Sequence, residues 1–259
     1  MQYVAGMLRK ARHEKLLSLL GAEGVLPVRE IAQRLAVSEA TARRDLDALG
    51  RAGHLTRVYG GALAGGRCGD ERPFADVAVD DLAEKTAVAR RAAELVADGD
   101  VLLLDIGTTT LQLAKQLKGR EVTVVTSSLA VFDELREDPR VTLILLGGQV
   151  RRNYRSLVGF LTESNLRQLH VGRLFLGTSG VLPDGGVLDS TAVEVPVKRA
   201  MLAAAQHVVL LATGNKFPGA TGLARVCGPR DIDTLITNDT SDPATLAVFR
   251  EADVEVLTV

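Results

Sequence analysis

Cysteine is scarce. Cys68 and Cys227 are too few and too far apart to suggest a zinc site or a disulfide framework, and they fit a reducing compartment. Residues 1–12 lack the apolar h-region of a signal peptide, and no uninterrupted apolar run approaches the length of a membrane span. The expectation is a cytoplasmic protein with no membrane partner. Neither a Walker A loop nor a G-x-G-x-x-G fingerprint occurs, so no nucleotide cofactor is expected, and no metal. Internal repeats and low-complexity tracts are also absent.

What the chain does have is an uneven charge distribution. The overall net charge is -1, but residues 1–62 carry ten Lys/Arg against six Asp/Glu, leaving 21 basic and 26 acidic residues for the rest. A basic head on an acidic body suggests a polyanion partner for one end only. The length suits a small domain plus a medium one, and 46% apolar content supports a sizeable core.

The basic head has a recognisable pattern. Met7 to Leu20 reads as a first helix, with Leu8, Ala11, Leu16, Leu19 and Leu20 available for packing and Gly21 and Gly24 closing it. Val28, Ile31, Ala32 and Leu35 are spaced as a second short helix, broken at Ala36-Val37. Ser38 is a good N-cap for a third helix, in which Ala42, Leu46 and Leu49 share one face while Arg44 and Arg51 lie opposite and Arg43 on the flank. This is a helix-turn-helix, or more blandly a helical hairpin with a solvated basic face. His54 to Ala62 alternates apolar and polar residues before Gly60-Gly61, as a β-wing would. Candidate DNA contacts are Ser38, Thr41, Arg43 and Arg44, with Arg57, Tyr59 and Gly60 on the wing.

From Leu63 to Asp80 the pattern fails, with a glycine-rich run at 64–69, so 1–62, 63–80 and 81–259 read as DNA-binding domain, linker and α/β domain. From Asp81, which with Asp80 can cap a helix, helices alternate with short apolar runs such as Val101–Leu104 and Val122–Val125. The alternation implies an open, mainly parallel sheet covered by helices on both faces. Ligands in such sheets bind at the carboxyl ends of the strands. Five such exits are small, polar or glycine-rich: Asp105 with Gly107 to Thr110, Thr126-Ser127-Ser128, Gly147-Gly148 with Arg151, Gly177 to Gly180, and Thr213 to Phe217 with Lys216. Thr108 or Thr109 can simply cap a helix; the same glycine and hydroxyls also suit a phosphate at a helix N-terminus. Together the exits imply a polar pocket, with Arg151 and Lys216 as cations. Asp105, Asp184 and Glu194 are carboxylates of the kind an enzyme uses as a base, but most such residues are solvated or cap helices. His170 and His207 flank strands without a nucleophile motif and read as structural.

The run S-E-A-T-A-R-R-D-L at 38–46 with R-V-Y-G-G-A at 57–62 resembles the DeoR family of bacterial transcription regulators. Later segments match that family's L-D-x-G-T-T, V-T-x-S-L, L-L-G-G-x-x-R, F-x-G-x-x-G and K-F motifs in order, from Glu84-Lys85 to Asp239. The resemblance implies a winged helix-turn-helix joined to an effector domain similar in fold to ribose-5-phosphate isomerase and the CoA-transferase group. It also implies a repressor of carbohydrate genes, a homo-oligomer on double-stranded operator DNA, governed by a phosphorylated sugar or related anionic metabolite. Gly107, Thr108, Thr109, Thr110 and Lys216 would hold the phosphate, and Asp105, Ser127, Ser128, Gly147, Gly148 and Arg151 would line the rest. The sequence departs from the family where Thr213-Gly214-Asn215 precedes Lys216 instead of an acid-led D-x-S, where Ser127 replaces Asn, and at Ile106. The second reading is a sugar-phosphate isomerase or transferase with an appended DNA module, which rests on fold analogy alone.

Overall fold

The structure, a computed structural model, describes residues 12, 13, 15, 16, 19, 25–51, 55–58, 61–64, 72–219 and 222–259. The chain divides into two units, Met1–Glu71 and Arg72–Val259. In the first, strand β1 (Val25–Pro27) leads into helix α1 (Val28–Arg34), and helix α2 (Glu39–Arg51) follows a tight turn. Ala36 turns with φ of 52°, and Val37 N–H bonds back to the Ala32 carbonyl at 3.0 Å. Ser38 caps as expected, its Oγ accepting from Thr41 N–H at 3.2 Å. Ala42, Leu46 and Leu49 are buried with Leu16, Ile31 and Leu35, which makes the apolar stripe the core of this unit.

Asp45, in the middle of the R-R-D-L run, is buried rather than solvated. It accepts from Arg12 Nε at 2.5 Å and Nη2 at 3.0 Å, and His13 Nε2 lies 3.1 Å away. Burial opposes the charge, but these partners hold the Asp45 carboxyl below its usual range. The run therefore holds a structural anchor between arginines that face out and a leucine that faces in.

Strands β2 (Leu55–Val58) and β3 (Gly61–Ala64) pair antiparallel from Leu55↔Ala64 to Val58↔Gly61, and β3 also pairs with β1. The wing is thus part of a three-stranded sheet that includes Val25–Pro27. Tyr59, Gly60, Leu8, Ala11, Leu20, Gly21, Gly24 and Cys68 lie outside the described residues.

The second unit opens with helices α3 (Phe74–Val79) and α4 (Leu82–Ala93), then strand β4 (Val101–Leu104), helix α5 (Thr108–Gln116) and strand β5 (Val122–Thr126). Helix α6 (Leu129–Leu135), strand β6 (Val141–Leu145), the hairpin β7 (Gln149–Arg151) and β8 (Ser156–Val158), and helix α7 (Phe160–Leu166) come next. Strands β9 (Val171–Gly177), β10 (Gly180–Val181) and β11 (Val187–Asp189) precede helix α8 (Val195–Ala204) and strand β12 (Ala205–Leu211). Strands β13 (Ala224–Cys227) and β14 (Thr234–Thr237), helix α9 (Pro243–Glu251) and strand β15 (Glu255–Thr258) complete it.

Seven strands form one sheet in the order β15-β14-β12-β9-β4-β5-β6, with every pairing parallel. The period-two alternation of each strand feeds two cores. Leu102, Leu104, Phe175 and Val209 join Val88, Leu113 and Val131 of α4, α5 and α6 on one face. Leu103, Leu174, Leu176 and Leu210 join Leu166, Met201 and Phe249 of α7, α8 and α9 on the other. Strands buried on both sides have no polar face to show, which is why they read as unbroken apolar runs.

The stretch 63–80, expected as a linker, is in part structured. Leu63 and Ala64 belong to β3, and α3 is part of the second unit, where Phe74 meets Tyr154 edge-to-face at 5.5 Å and Phe74 N–H bonds the Asn153 carbonyl at 3.0 Å. The small antiparallel sheet β10-β11-β13 and the β7–β8 hairpin were also not anticipated.

Candidate functional site

The sheet order places a topological switch point between β4 and β9, since the chain runs β4, β5, β6 to one side and β9, β12, β14, β15 to the other. Open α/β sheets bind ligands in the crevice outside such a point. Asp105 and Gly177 stand there, and Gly177 N–H donates to Asp105 Oδ2 at 2.9 Å. Two residues on, Gly107 has φ of 138°, a conformation that side-chain-bearing residues rarely adopt, and it opens α5 with no side-chain cap. The cap role weighed for Thr108 or Thr109 is therefore taken by neither: both lie inside the helix. Thr110 Oγ1 donates back to the Gly107 carbonyl at 3.0 Å. The first turn of an α-helix leaves backbone N–H groups without intrahelical partners, and in α5 that turn follows directly on the exit of β4 with no side-chain cap.

Behind Asp105 lies a buried charge cluster. Lys198 Nζ on α8 donates to Asp105 Oδ2 at 2.6 Å and to the Gly177 carbonyl at 2.9 Å, and sits 3.2 Å from Asp189 Oδ2. Burial works against its ammonium, but the two carboxylates outweigh it and hold the Lys198 pKa above the usual lysine range. One helical turn earlier Glu194, 1% exposed, receives Ser156 Oγ–H at 2.6 Å and an ion pair from Arg151, both on Oε1. Glu194 is thus not solvated; it holds the N-cap position of α8, but its side chain makes no capping hydrogen bond and is turned to Ser156 and Arg151 instead. Arg151 is a partner of Glu194 rather than an unengaged cation.

Burial pushes the Glu194 carboxyl up to about 7, against the pull of Ser156, Arg151 and Lys198. A carboxyl whose pKa is higher folded than unfolded contributes stability that is full below about pH 4.5 and lost as pH rises through about 7. Over that window wild-type stability should fall by on the order of 1–3 kcal/mol through this group, and Glu194→Gln should flatten that part of the curve. Urea unfolding at pH 4.5, 6 and 7.5 measures it; parallel curves for the two proteins would contradict the assignment.

At the exit of β12, Lys216 ends a short 3₁₀ turn (Gly214–Lys216) and is half-buried. Burial lowers its pKa. Lys85, on α4 and 3% exposed, donates to the Val77 and Asp80 carbonyls, both at 2.6 Å, and its pKa is lowered by burial first and by Lys216 second. Asp81 and Asp80 pull the Lys216 pKa the other way, and its side chain keeps a solvent-facing part that an anion could reach. Asp81, expected to cap α4 with Asp80, makes no cap bond; it has φ of 46° and accepts from Asn215 Nδ2 at 2.6 Å, in the loop that carries Lys216.

Other expected lining residues have structural tasks. Ser128 is the N-cap of α6, accepting from Val131 N–H at 3.2 Å. Gly147 N–H donates to Asn165 Oδ1, and a Cβ on Gly148 would stand 2.1 Å from Thr162 Oγ1 and 2.9 Å from the Val158 carbonyl, so these glycines let α7 pack closely. Ser127, fully buried beside Asp105 on the next strand, keeps an unpartnered hydroxyl. His170 pairs with Gln206 and His207 with Thr234 at 3.0 Å, the structural roles read for them. Among the described residues no group of three or more His, Cys, Asp or Glu is placed to hold a metal, and no helix is long and apolar enough to cross a membrane.

On α2, Arg43 and Arg44 point outward. Arg43 Nη2 meets Glu39 Oε2 at 3.0 Å, an exposed i,i+4 pair of little energetic weight, so Arg43 is readily redirected. Ser38 Oγ and Thr41 Oγ1 lie 2.9 Å apart at the exposed amino end of the same helix. Arg57 sits on β2 opposite Ala62.

The described geometry is matched by family models along both units. Residues 12–65 match a DeoR-like helix-turn-helix domain, and residues 80–239 match a DeoR C-terminal sensor domain. The chain belongs to the DeoR family. It is therefore a DNA-binding transcriptional regulator rather than an enzyme, built from a helix-turn-helix and a mainly parallel α/β sensor domain. The transcriptional repressor AccR of Agrobacterium fabrum is 33% identical over 88% of each chain. The lactose phosphotransferase system repressor of Lactococcus lactis is 32% identical over 95% of this chain and 97% of its own. A ribose 5-phosphate isomerase from Methanocaldococcus jannaschii overlaps with a TM-score of 0.39 and 17% identity, across 52% of this chain and 54% of that one. Within this DeoR-family chain, the burial of Lys198 and Lys85 was not evident from the sequence. A signal existed: Glu194, Lys198 and Met201 follow helical spacing, which places two charges on a stripe that is otherwise apolar.

Proposed function

We propose that this DeoR-family chain is a cytoplasmic repressor of carbohydrate genes that binds double-stranded operator DNA as a homo-oligomer and answers to a phosphorylated sugar. Residues 1–62 read the operator through Ser38, Thr41, Arg43, Arg44, Arg57, Tyr59 and Gly60, and residues 81–259 hold the effector. The observation that carries the effector reading is the uncapped amino end of α5, opened by Gly107 on the same sheet edge as Lys216. N–H groups, the hydroxyls of Thr108 and Thr109 and a partly buried ammonium are what a phosphomonoester requires. A closed set of copies matches the two-fold symmetry of palindromic operators.

Arg44→Ala should weaken operator binding by about 1–3 kcal/mol while leaving the fold intact, because Arg44 is exposed on the face opposite Ala42 and Leu46. Mobility shifts on operator and scrambled DNA measure this. A loss confined to the operator marks a base contact and an equal loss on both marks a phosphate contact; unchanged binding on both would remove α2 as the reading helix.

A further inference from the structure

Among the described residues the seven-stranded sheet ends in two open edges, β15 and β6, and only one of them is guarded. An open edge presents unpaired N–H and C=O groups, which native proteins blunt with charge, proline, bulges or a covering element. Residues 251–259, in and before β15, hold Glu251, Asp253 and Glu255 and no basic residue. Residues 141–150, in and after β6, hold no charged residue and no proline. The β5–β6 register runs without a bulge from Val122↔Val141 to Thr126↔Leu145, and no described strand lies on the outer side of β6.

That outer side has a definite hydrogen-bonding pattern. Leu146 N–H donates to the Thr126 carbonyl at 2.9 Å, so the even-numbered residues serve β5, and Val141, Leu143 and Leu145 turn their main-chain groups outward. Among the described residues only the Val141 N–H of these is engaged, with the Asp138 carbonyl at 3.3 Å. Exposed apolar side chains accompany the edge. Ile144, the register partner of Val125 on the face that α7 and α8 cover elsewhere, is 41% exposed. Thr142, two residues earlier in the same strand, is exposed as well. Helix α7 begins beside the exit of β6, where Gly147 bonds Thr162 and Asn165, and its first two residues, Phe160 and Leu161, are 74% and 50% exposed.

We propose that the outer edge of β6 is where two copies of this chain join: two β6 strands pair antiparallel about a two-fold axis at Leu143, with Ile144, Phe160 and Leu161 flanking the seam. The inference rests on the homo-oligomer reading above and adds the surface that carries it. A second copy fits because the pattern is its own complement. Antiparallel pairing about Leu143 sets Val141 opposite Leu145, Leu143 opposite Leu143 and Thr142 opposite Ile144, so outward groups meet outward groups. The Leu143 pair exchanges two hydrogen bonds, and each Val141–Leu145 pair adds one from Leu145 N–H to the Val141 carbonyl. Charge selects the same edge. An isologous contact sets a patch against itself, which the neutral stretch 141–150 tolerates and the acidic β15 edge does not.

Sedimentation velocity on the full chain tests this with charge-swapped variants. One chain carries Thr142→Lys with Ile144→Lys, and the other Thr142→Glu with Ile144→Glu. Each alone should self-associate at least about tenfold more weakly than wild type, because like charges then oppose each other across the axis. An equimolar mixture of the two should recover association near wild type, which neither a folding defect nor an interface elsewhere on the chain would produce. Phe160→Ser, which alters only an exposed side chain, should weaken association several-fold with unchanged circular dichroism. If wild type and both charged chains associate with equal strength, the β6 interface is overturned, the edge belongs to a different occupant, and the homo-oligomer reading stands. If the charged chains dissociate and their mixture does not recover, the pairing about Leu143 is overturned. A wild-type chain that stays monomeric at every concentration overturns the homo-oligomer reading and the interface with it.

Discussion

Replacing Lys198 by methionine is expected to destabilise the protein by about 3–5 kcal/mol, the largest effect of any single change considered. Lys198 is 3% exposed at its side chain, between Asp105 and Asp189, and its removal leaves two carboxylates in the interior with no cation between them. Methionine fills much of the same volume, so the loss reports charge rather than a cavity. Adding Asp105→Asn to Lys198→Met should recover part of the loss, because one of the stranded charges is then gone. Urea unfolding of the single and double variants measures the coupling as a cycle. A single variant within 1 kcal/mol of wild type would show that the cluster is not the electrostatic keystone of the α8–sheet contact.

Lys216→Ala is expected to weaken binding of a phosphorylated effector about ten- to a hundredfold, since a hydrogen bond from a charged donor contributes on the order of 1.5–3 kcal/mol. Its ammonium is partly desolvated, a cost that the nearby Asp81 and Asp80 only partly offset, and an anion would offset more of it as well as adding a bond. Operator affinity without effector should stay near wild type, because residue 216 belongs to the second unit and the reading helix to the first. Coupling between the two ligands is reciprocal: whatever factor the effector takes from operator affinity, operator takes from effector affinity. Calorimetry with and without operator reads both numbers. Effector binding to Lys216→Ala at wild-type strength would put the phosphate elsewhere.

The parts of the molecule legible in the sequence are those where one physical constraint dominates. Val101–Leu104 and Val122–Val125 are buried on two faces, and nothing but an apolar run survives there. Their exits, Asp105 and Ser127, follow by counting. The α2 stripe of Ala42, Leu46 and Leu49 is equally plain. The hairpin Gln149–Arg151 with Ser156–Val158 left no such mark, because three-residue strands of mixed polarity carry no periodicity to read. Glu194 and Asp45 were obscured for a different reason. A buried carboxylate looks like a solvated one until its partners are known, and those partners, Ser156, Arg151 and Arg12, lie 38, 43 and 33 residues away. Ser128, Gly147 and Gly148 show the converse: polar or small residues at a strand exit that serve the helix packed beside it.

The position of β9 beside β4 has a consequence for the protein's own synthesis. Asp105 waits for a partner 93 residues further along the chain. At ribosomal speeds of roughly 5–20 residues per second, that partner is made about 5–20 s later, and Lys216 later still. The helix-turn-helix unit, complete by residue 71, leaves the ribosome first. Each nascent copy therefore passes through an interval in which it carries a finished helix-turn-helix and an incomplete sensor domain.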